Sequence, residues 1–185
     1  MKILLFGSQG MVGSSVVRIL STNQNFEIIK SNRDKNNLFD FQSTQRLIEE
    51  TNPDYIINAA ARVGGIHANN ENRFEFITEN LKINMNILES CKNNANIKII
   101  NLGSSCIYPL EAKNPLKEEY IMTGKLEPTN SPYAMAKLSA IEIGDAMRKQ
   151  FGHTIINLMP TNLYGPCDNF SENESHVIPG LIYRM

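Results

Sequence analysis

Short apolar runs alternate with amphipathic stretches from the first residue onward. Lys2–Phe6 is apolar without alternation, as a strand covered on both faces is. Met11–Leu20 follows as a helix with Val12, Val16 and Ile19/Leu20 on one face. Residues 26–30 predict a second strand, 41–50 a second helix, and 54–59 a third strand running into Ala60-Ala61. Residues 72–93 predict one long helix that is apolar on two sides. Phe74, Ile77, Leu81, Met85 and Leu88 form one side, and Phe76, Ile83 and Ile87 the other. A strand is expected over 97–102 and a helix over 131–150, with Ser131 as N-cap and Pro132 in the first turn. The last strand is expected over 154–159, and 178–185 begins a further helix. Between them, 110–130 is a polar connection of the length that functional or mobile loops have. Strands and helices in strict alternation predict an α/β fold around a parallel sheet.

Composition narrows the classes. A chain of 185 residues with 42% hydrophobic and 20% charged content is an ordinary globular chain with a sizeable core. A net charge of −1 supplies no basic stripe, which argues against nucleic acid and anionic membrane as partners. The opening apolar run is too short for a signal peptide or a spanning helix, so the expected location is the cytoplasm. Cys91, Cys106 and Cys167 are odd in number and outside any CxxC pattern, so neither a disulfide framework nor a metal site is expected.

Gly7-Ser8-Gln9-Gly10-Met11-Val12-Gly13 lies between the first strand and the first helix. This is where a dinucleotide fingerprint does its work. It gives a tight turn, a backbone that a pyrophosphate can approach, and a helix N-terminus with free N–H groups. The flanking elements make this a Rossmann-type, doubly wound sheet. At the tip of the second strand, Arg33 suits the 2′-phosphate of NADP, whereas Asp34 would suit the ribose hydroxyls; Arg33 favours NADP(H).

The third group of residues carries chemistry. The strand over 97–102 runs out into Gly103-Ser104-Ser105-Cys106, and the helix over 131–150 opens with Tyr133 and Lys137 four apart, hence on one face. A lysine beside a phenol is expected to lower its pKa. A serine opposite could hold a substrate carbonyl. That is a proton-transfer site for interconverting C=O and CH–OH. Cys106 stands at a strand's carboxyl end, where ligands of α/β sheets bind. Cys91 reads as core, Cys167 as a loop thiol, and His67 and His153 as solvated or structural.

The glycine motif, Asn58-Ala59-Ala60-Ala61, Ser104 and Tyr133-x-x-x-Lys137 occur in the order seen in extended short-chain dehydrogenases/reductases. More narrowly, residues 61–70, 103–109, 127–133, 158–166 and 175–179 resemble the GDP-L-fucose synthase family, with Gly-Ser-Ser-Cys-Ile-Tyr-Pro and Pro-Thr-Asn-Leu-Tyr-Gly-Pro the most specific stretches. The resemblance implies NADPH-dependent 3,5-epimerisation and 4-reduction of GDP-4-keto-6-deoxy-mannose. It implies Tyr133 as the acid at the C4 oxygen and Lys137 as its activator and ribose ligand. Ser104 would hold the carbonyl, ahead of Ser105, and Cys106 and His176 would be the epimerising pair. Gly7, Ser8, Gln9, Gly10, Met11, Val12, Gly13, Arg33, Asp34, Leu38, Leu102, Gly103, Ser105, Pro160, Thr161, Asn162, Leu163 and His176 would line the cofactor, and Arg184 would meet the GDP diphosphate. The family also implies a homodimer through the two long helices.

Two departures stand out. Gln9 occupies a place where compared family members carry a basic residue. The family also continues beyond Arg184 into a smaller substrate-covering domain. The expected organisation is therefore a cofactor-binding domain over 1–165 and, over 166–185, the start of a substrate region that is otherwise missing, leaving an incomplete enzyme. The alternatives are another extended short-chain epimerase or 4,6-dehydratase acting on nucleotide sugars, or a catalytically incomplete dinucleotide-binding fragment. Cys106, where a dehydratase usually has an acid, disfavours the dehydratase.

Overall fold

In the computed structural model, which describes residues 1–33, 36–172 and 174–185, five strands form one parallel sheet. The strands are β1 (Lys2–Phe6), β2 (Glu27–Lys30), β3 (Tyr55–Asn58), β4 (Lys98–Leu102) and β5 (Ile155–Leu158), in the spatial order β2-β1-β3-β4-β5. The chain therefore reverses its winding direction between β1 and β3. At that point the carboxyl ends of neighbouring strands open a crevice, the place where doubly wound sheets bind ligands. Leu4, Phe6, Ile56 and Ile99 are fully or almost fully buried, which accounts for strands that read as unbroken apolar runs.

Five helices connect or flank the strands: α1 (Met11–Leu20), α2 (Phe41–Thr51), α3 (Ile66–Glu71), α4 (Arg73–Cys91) and α5 (Ser131–Phe151); a sixth, α6 (Val177–Tyr183), follows β5. The core joins β1, β3 and β4 to Ile48 of α2, to Ile83, Ile87 and Leu88 of α4, and to Met147 of α5. Asp40 caps α2 by accepting from the Ser43 N–H at 2.9 Å. Gly152, at φ +76, ends α5 in the left-handed turn that glycine adopts without strain.

One expectation is corrected here and two are extended. The helix expected over 72–93 is α4 (Arg73–Cys91); a further helix that was not expected, α3, precedes it, with Asn72 (φ −115, ψ 44) between the two. The N-cap of α5 is Asn130, not Ser131; Ser131 is already helical, and its hydroxyl donates to the Pro128 carbonyl at 3.3 Å. The polar connection over 110–130 holds a short 3-10 turn at Glu118–Tyr120. His153 is buried with Nε2 3.0 Å from the Lys92 carbonyl oxygen, a structural place, and Cys91 is buried on α4 as expected. Among the described residues no helix is long and apolar enough to cross a membrane, and no group of three or more His, Cys, Asp or Glu could hold a metal ion.

Candidate active site

The glycine loop leaves β1 at Gly7, where φ is +74. A Cβ at Gly7 would meet the Ala59 carbonyl at 2.7 Å, and one at Gly13 would stand 2.0 Å from the Gly7 oxygen. Both glycines are therefore required for the first turn of α1 to lie against the loop and against the end of β3. Ser8 is buried, and its hydroxyl donates to the Ser31 carbonyl at 2.8 Å, which ties the loop to the end of β2. Gly10, Gln9, Met11 and Val12 stay wholly or partly exposed around this cradle. Arg33 is exposed at the tip of β2, where an anion can reach it. Asp34 lies outside the described residues. Leu38 packs on the core, and its carbonyl accepts from Asn86 Nδ2 at 2.8 Å.

At the carboxyl end of β4, Ser104 is extended (φ −162, ψ 148) and caps a one-turn 3-10 helix, Ser105–Ile107. Its hydroxyl accepts from the Cys106 N–H at 3.2 Å and also shares a hydrogen bond with the Tyr133 phenol. Ser105, by contrast, uses its backbone N–H on the Pro160 carbonyl at 3.2 Å, which fixes the 160–163 strand exit beside the site. Lys137 is 3% exposed; its ammonium donates to the Leu102 carbonyl at 2.7 Å and lies 5.7 Å from the centre of the Tyr133 ring. Phe76 of α4 meets the same ring edge-on at 6.4 Å. Ser104, Cys106, Tyr133 and Lys137 thus come together at the carboxyl end of β4.

The electrostatics differ from the expectation. Burial pushes the Tyr133 phenol up to about 12, the charge of Cys106 adds to the rise, and the Ser104 hydrogen bond opposes it. Lys137 does not produce a lowered phenol here, because its ammonium is committed to the Leu102 carbonyl and burial brings its own pKa down to about 8. Folded Lys137 thus loses its proton at lower pH than the unfolded lysine at 10.5, so stability rises with pH from about 8 upward. Cys91, pushed to about 12 by burial, opposes this only above its ordinary value of 9.0, and Tyr133 only above 10.0. Between pH 8 and 9 the protein is expected to gain roughly 1 kcal/mol in urea unfolding, and Lys137→Met is expected to remove that gain.

Not every anticipated residue joins the cluster. His176 is exposed and precedes α6, where its carbonyl accepts from the Gly180 N–H at 2.9 Å. Its segment is nevertheless held near the sheet, since the Glu174 carbonyl accepts from Gly65 N–H at 3.0 Å, and a Cβ at Gly65 would strike the Ser175 oxygen at 2.4 Å. Arg184 is exposed at the end of α6, Thr161, Asn162 and Leu163 are exposed beyond Pro160, and Cys167 is an exposed loop thiol with φ +66.

An asparagine ladder beneath the site was not anticipated. Asn58, Asn101 and Asn157 pair across β3, β4 and β5 in register. Asn58 Nδ2 donates to Asn101 Oδ1 and to Asn84 Oδ1, each at 3.1 Å, and Asn101 Nδ2 donates to Asn157 Oδ1 at 3.2 Å. Asn84 Nδ2 then reaches the Ala136 carbonyl at 3.5 Å. The network thus links Asn101, which precedes Leu102, to Ala136, which precedes Lys137. A signal was present in the sequence: each of the three strands contains Ile-Ile-Asn.

A family model described as the NAD dependent epimerase/dehydratase family matches residues 3–185. The GDP-L-fucose synthase of Escherichia coli (strain K12) is 42% identical over 184 residues, which are 100% of this chain and 57% of that protein. The GDP-L-fucose synthase of Sinorhizobium fredii is 44% identical over 99% of this chain and 58% of its own length. The chain thus spans a little over half the length of the curated relatives it matches. Among solved structures, a GDP-D-glycero-L-gluco-heptose synthase from Campylobacter jejuni, crystallised in the presence of NADPH, superposes with a TM-score of 0.91. It is 32% identical over 98% of this chain and 53% of its own.

Proposed function

The chain belongs to the NAD dependent epimerase/dehydratase family, and from that premise we propose that it carries the NADP(H) site and the reacting residues of a GDP-sugar epimerase/reductase. The substrate is GDP-4-keto-6-deoxy-mannose and the product GDP-L-fucose. The observation that carries the reading is the meeting of Ser104, Cys106, Tyr133 and Lys137 at the carboxyl end of β4, beside a glycine loop that tolerates no Cβ at Gly7 or Gly13. The loop fits a dinucleotide because its backbone is bare on the side a pyrophosphate approaches, and Arg33, exposed at the tip of β2, suits a 2′-phosphate.

Bound NADPH supplies a hydride to C4 of the sugar. Ser104 holds the C4 carbonyl, and Tyr133, protonated at neutral pH by its raised pKa, gives a proton to the C4 oxygen. Lys137 fixes the helix end and offers a charge to the nicotinamide ribose. Before reduction, the same carbonyl holders stabilise an enolate while Cys106 and His176 exchange protons at C3 and C5 on opposite faces. His176 comes from the exposed segment anchored on Gly65, so it completes the site from the substrate side.

Residues 1–165 form the cofactor domain in this reading, and 166–185 begin the substrate region. Val177, Leu181, Ile182 and Tyr183 support this, since they expose a run of apolar surface of the kind that marks an interaction site. Arg184, on the same segment, meets the GDP diphosphate. The protein works in the cytoplasm as a homodimer. In support of the dimer, α4 and α5 expose Phe74 at 73% and Met135 at 47%, opposite their buried faces. Phe74→Glu is expected to give a monomer in sedimentation velocity and to leave the unfolding midpoint of the protomer nearly unchanged.

The test is NADPH oxidation on addition of GDP-4-keto-6-deoxy-mannose, for this chain and for one extended to the length of its relatives, with NADH as comparison. Oxidation of NADPH by either supports the reading; binding of NADP by both without oxidation by either would leave the cofactor assignment and remove the sugar.

A further inference from the structure

We propose that Asn130 is a positioning residue of the epimerising half of this site: its side-chain amide aims Cys106 Sγ and favours the thiolate. The inference rests on reading Cys106 as a proton carrier.

Asparagine is among the best N-cap residues, because its side-chain oxygen accepts from a first-turn N–H. Asn130 occupies the N-cap of α5, at φ −116 and ψ 9, but its side chain makes no capping hydrogen bond. Nδ2 donates instead to Cys106 Sγ at 3.4 Å. Oδ1 is buried and has no partner among the described residues. One residue thus forgoes a cap and strands an acceptor. Folded chains keep such local conflicts mainly where a site requires them.

The loop before α5 is built to hold this side chain still. The Glu127 carboxylate accepts from the Thr129 hydroxyl at 2.5 Å, the Thr129 N–H at 3.1 Å and the Asn130 N–H at 3.2 Å, and those bonds, the hydroxyl's foremost, hold its carboxyl below the usual range. Arg73 reaches across from α4 to the Pro128 and Thr129 carbonyls at 2.8 and 3.3 Å. Arg73 also donates to the Ser131 hydroxyl at 3.1 Å, so Asn130 is held on both sides of its own backbone.

The sulfur has need of such a donor. Tyr133 of α5 is the titratable group set against Cys106, and the two charges oppose each other. Lys137 donates to the Leu102 carbonyl. A neutral amide N–H stabilises the thiolate without adding a cation that would also draw the proton from Tyr133.

The test is alkylation of Cys106 by iodoacetamide as a function of pH, in the chain carrying Cys167→Ser so that the exposed loop thiol is silent. Cys91 is fully buried and does not report. Asn130→Ser and Asn130→Gly are the variants. Both residues serve well at N-caps and neither adds charge, so the unfolding midpoint is expected to stay close to that of the parent. The alkylation profile is expected to move up by about one pH unit, with roughly tenfold slower alkylation at pH 7. A profile unmoved in both folded variants would overturn the proposal and leave the GDP-sugar reading untouched. A shifted profile without any turnover of the sugar would uphold Asn130 and dismiss that reading.

Discussion

Tyr133→Phe is expected to lower NADPH oxidation by the GDP-sugar about 10²- to 10⁴-fold, the range a positioned acid contributes. The substitution removes one oxygen and little else. Phenylalanine keeps the edge-on contact with Phe76 at the same place in the first turn of α5, and Lys137 keeps its bond to the Leu102 carbonyl. Nucleotide affinity should therefore remain within about twofold, as titration calorimetry would read it. What disappears is the proton for the C4 oxygen. Ser104 cannot replace it, because an aliphatic hydroxyl is a far weaker acid than a phenol. An unchanged rate of oxidation in Tyr133→Phe would move the acid elsewhere, and with it the role given to α5.

Gly13→Ala is expected to abolish nucleotide binding, with a loss of affinity of about a hundredfold or more and destabilisation of about 1–3 kcal/mol. The new Cβ would stand 2.0 Å from the Gly7 oxygen and 2.8 Å from the Ser8 Cα, both backbone atoms that cannot rotate away. The whole of α1 must then retreat from the loop, taking its N–H groups off the place where a pyrophosphate would sit. Gly10→Ala is the control. There the Cβ meets the Gly7 oxygen at 3.6 Å, an ordinary contact, so the thermal midpoint should hardly change. The pair separates a steric requirement from a general sensitivity of the loop.

Much of this site could be read from the chain because it depends on short spacings. The glycines fall between β1 and α1, and Tyr133 and Lys137 are neighbours on any helix that contains both. What escaped depends on contacts between segments far apart in sequence. Helix α3 (Ile66–Glu71) has only Ile66 and Ala68 as apolar residues, so no periodicity announces it ahead of Asn72. Ser131 is as good an N-cap as Asn130 by type; only the call of Cys106 on the asparagine side chain, and of Arg73 on the Ser131 hydroxyl at 3.1 Å, separates them. The raised Tyr133 pKa follows from burial under Phe76 and beside Cys106, which no i, i+4 argument contains. The asparagine ladder was the nearest miss, since three strands that share Ile-Ile-Asn in one parallel register must line up their amides.

The central claim is that one pocket both epimerises and reduces, with Cys106 serving the first task and Tyr133 the second. It is tested most directly by NMR of GDP-4-keto-6-deoxy-mannose incubated with the protein in D₂O without NADPH. Deuterium is predicted to enter C3 and C5 with the parent protein and with Tyr133→Phe, and to fail to enter with Cys106→Ser. Exchange that persists in Cys106→Ser, or that never occurs in the parent, would contradict the account.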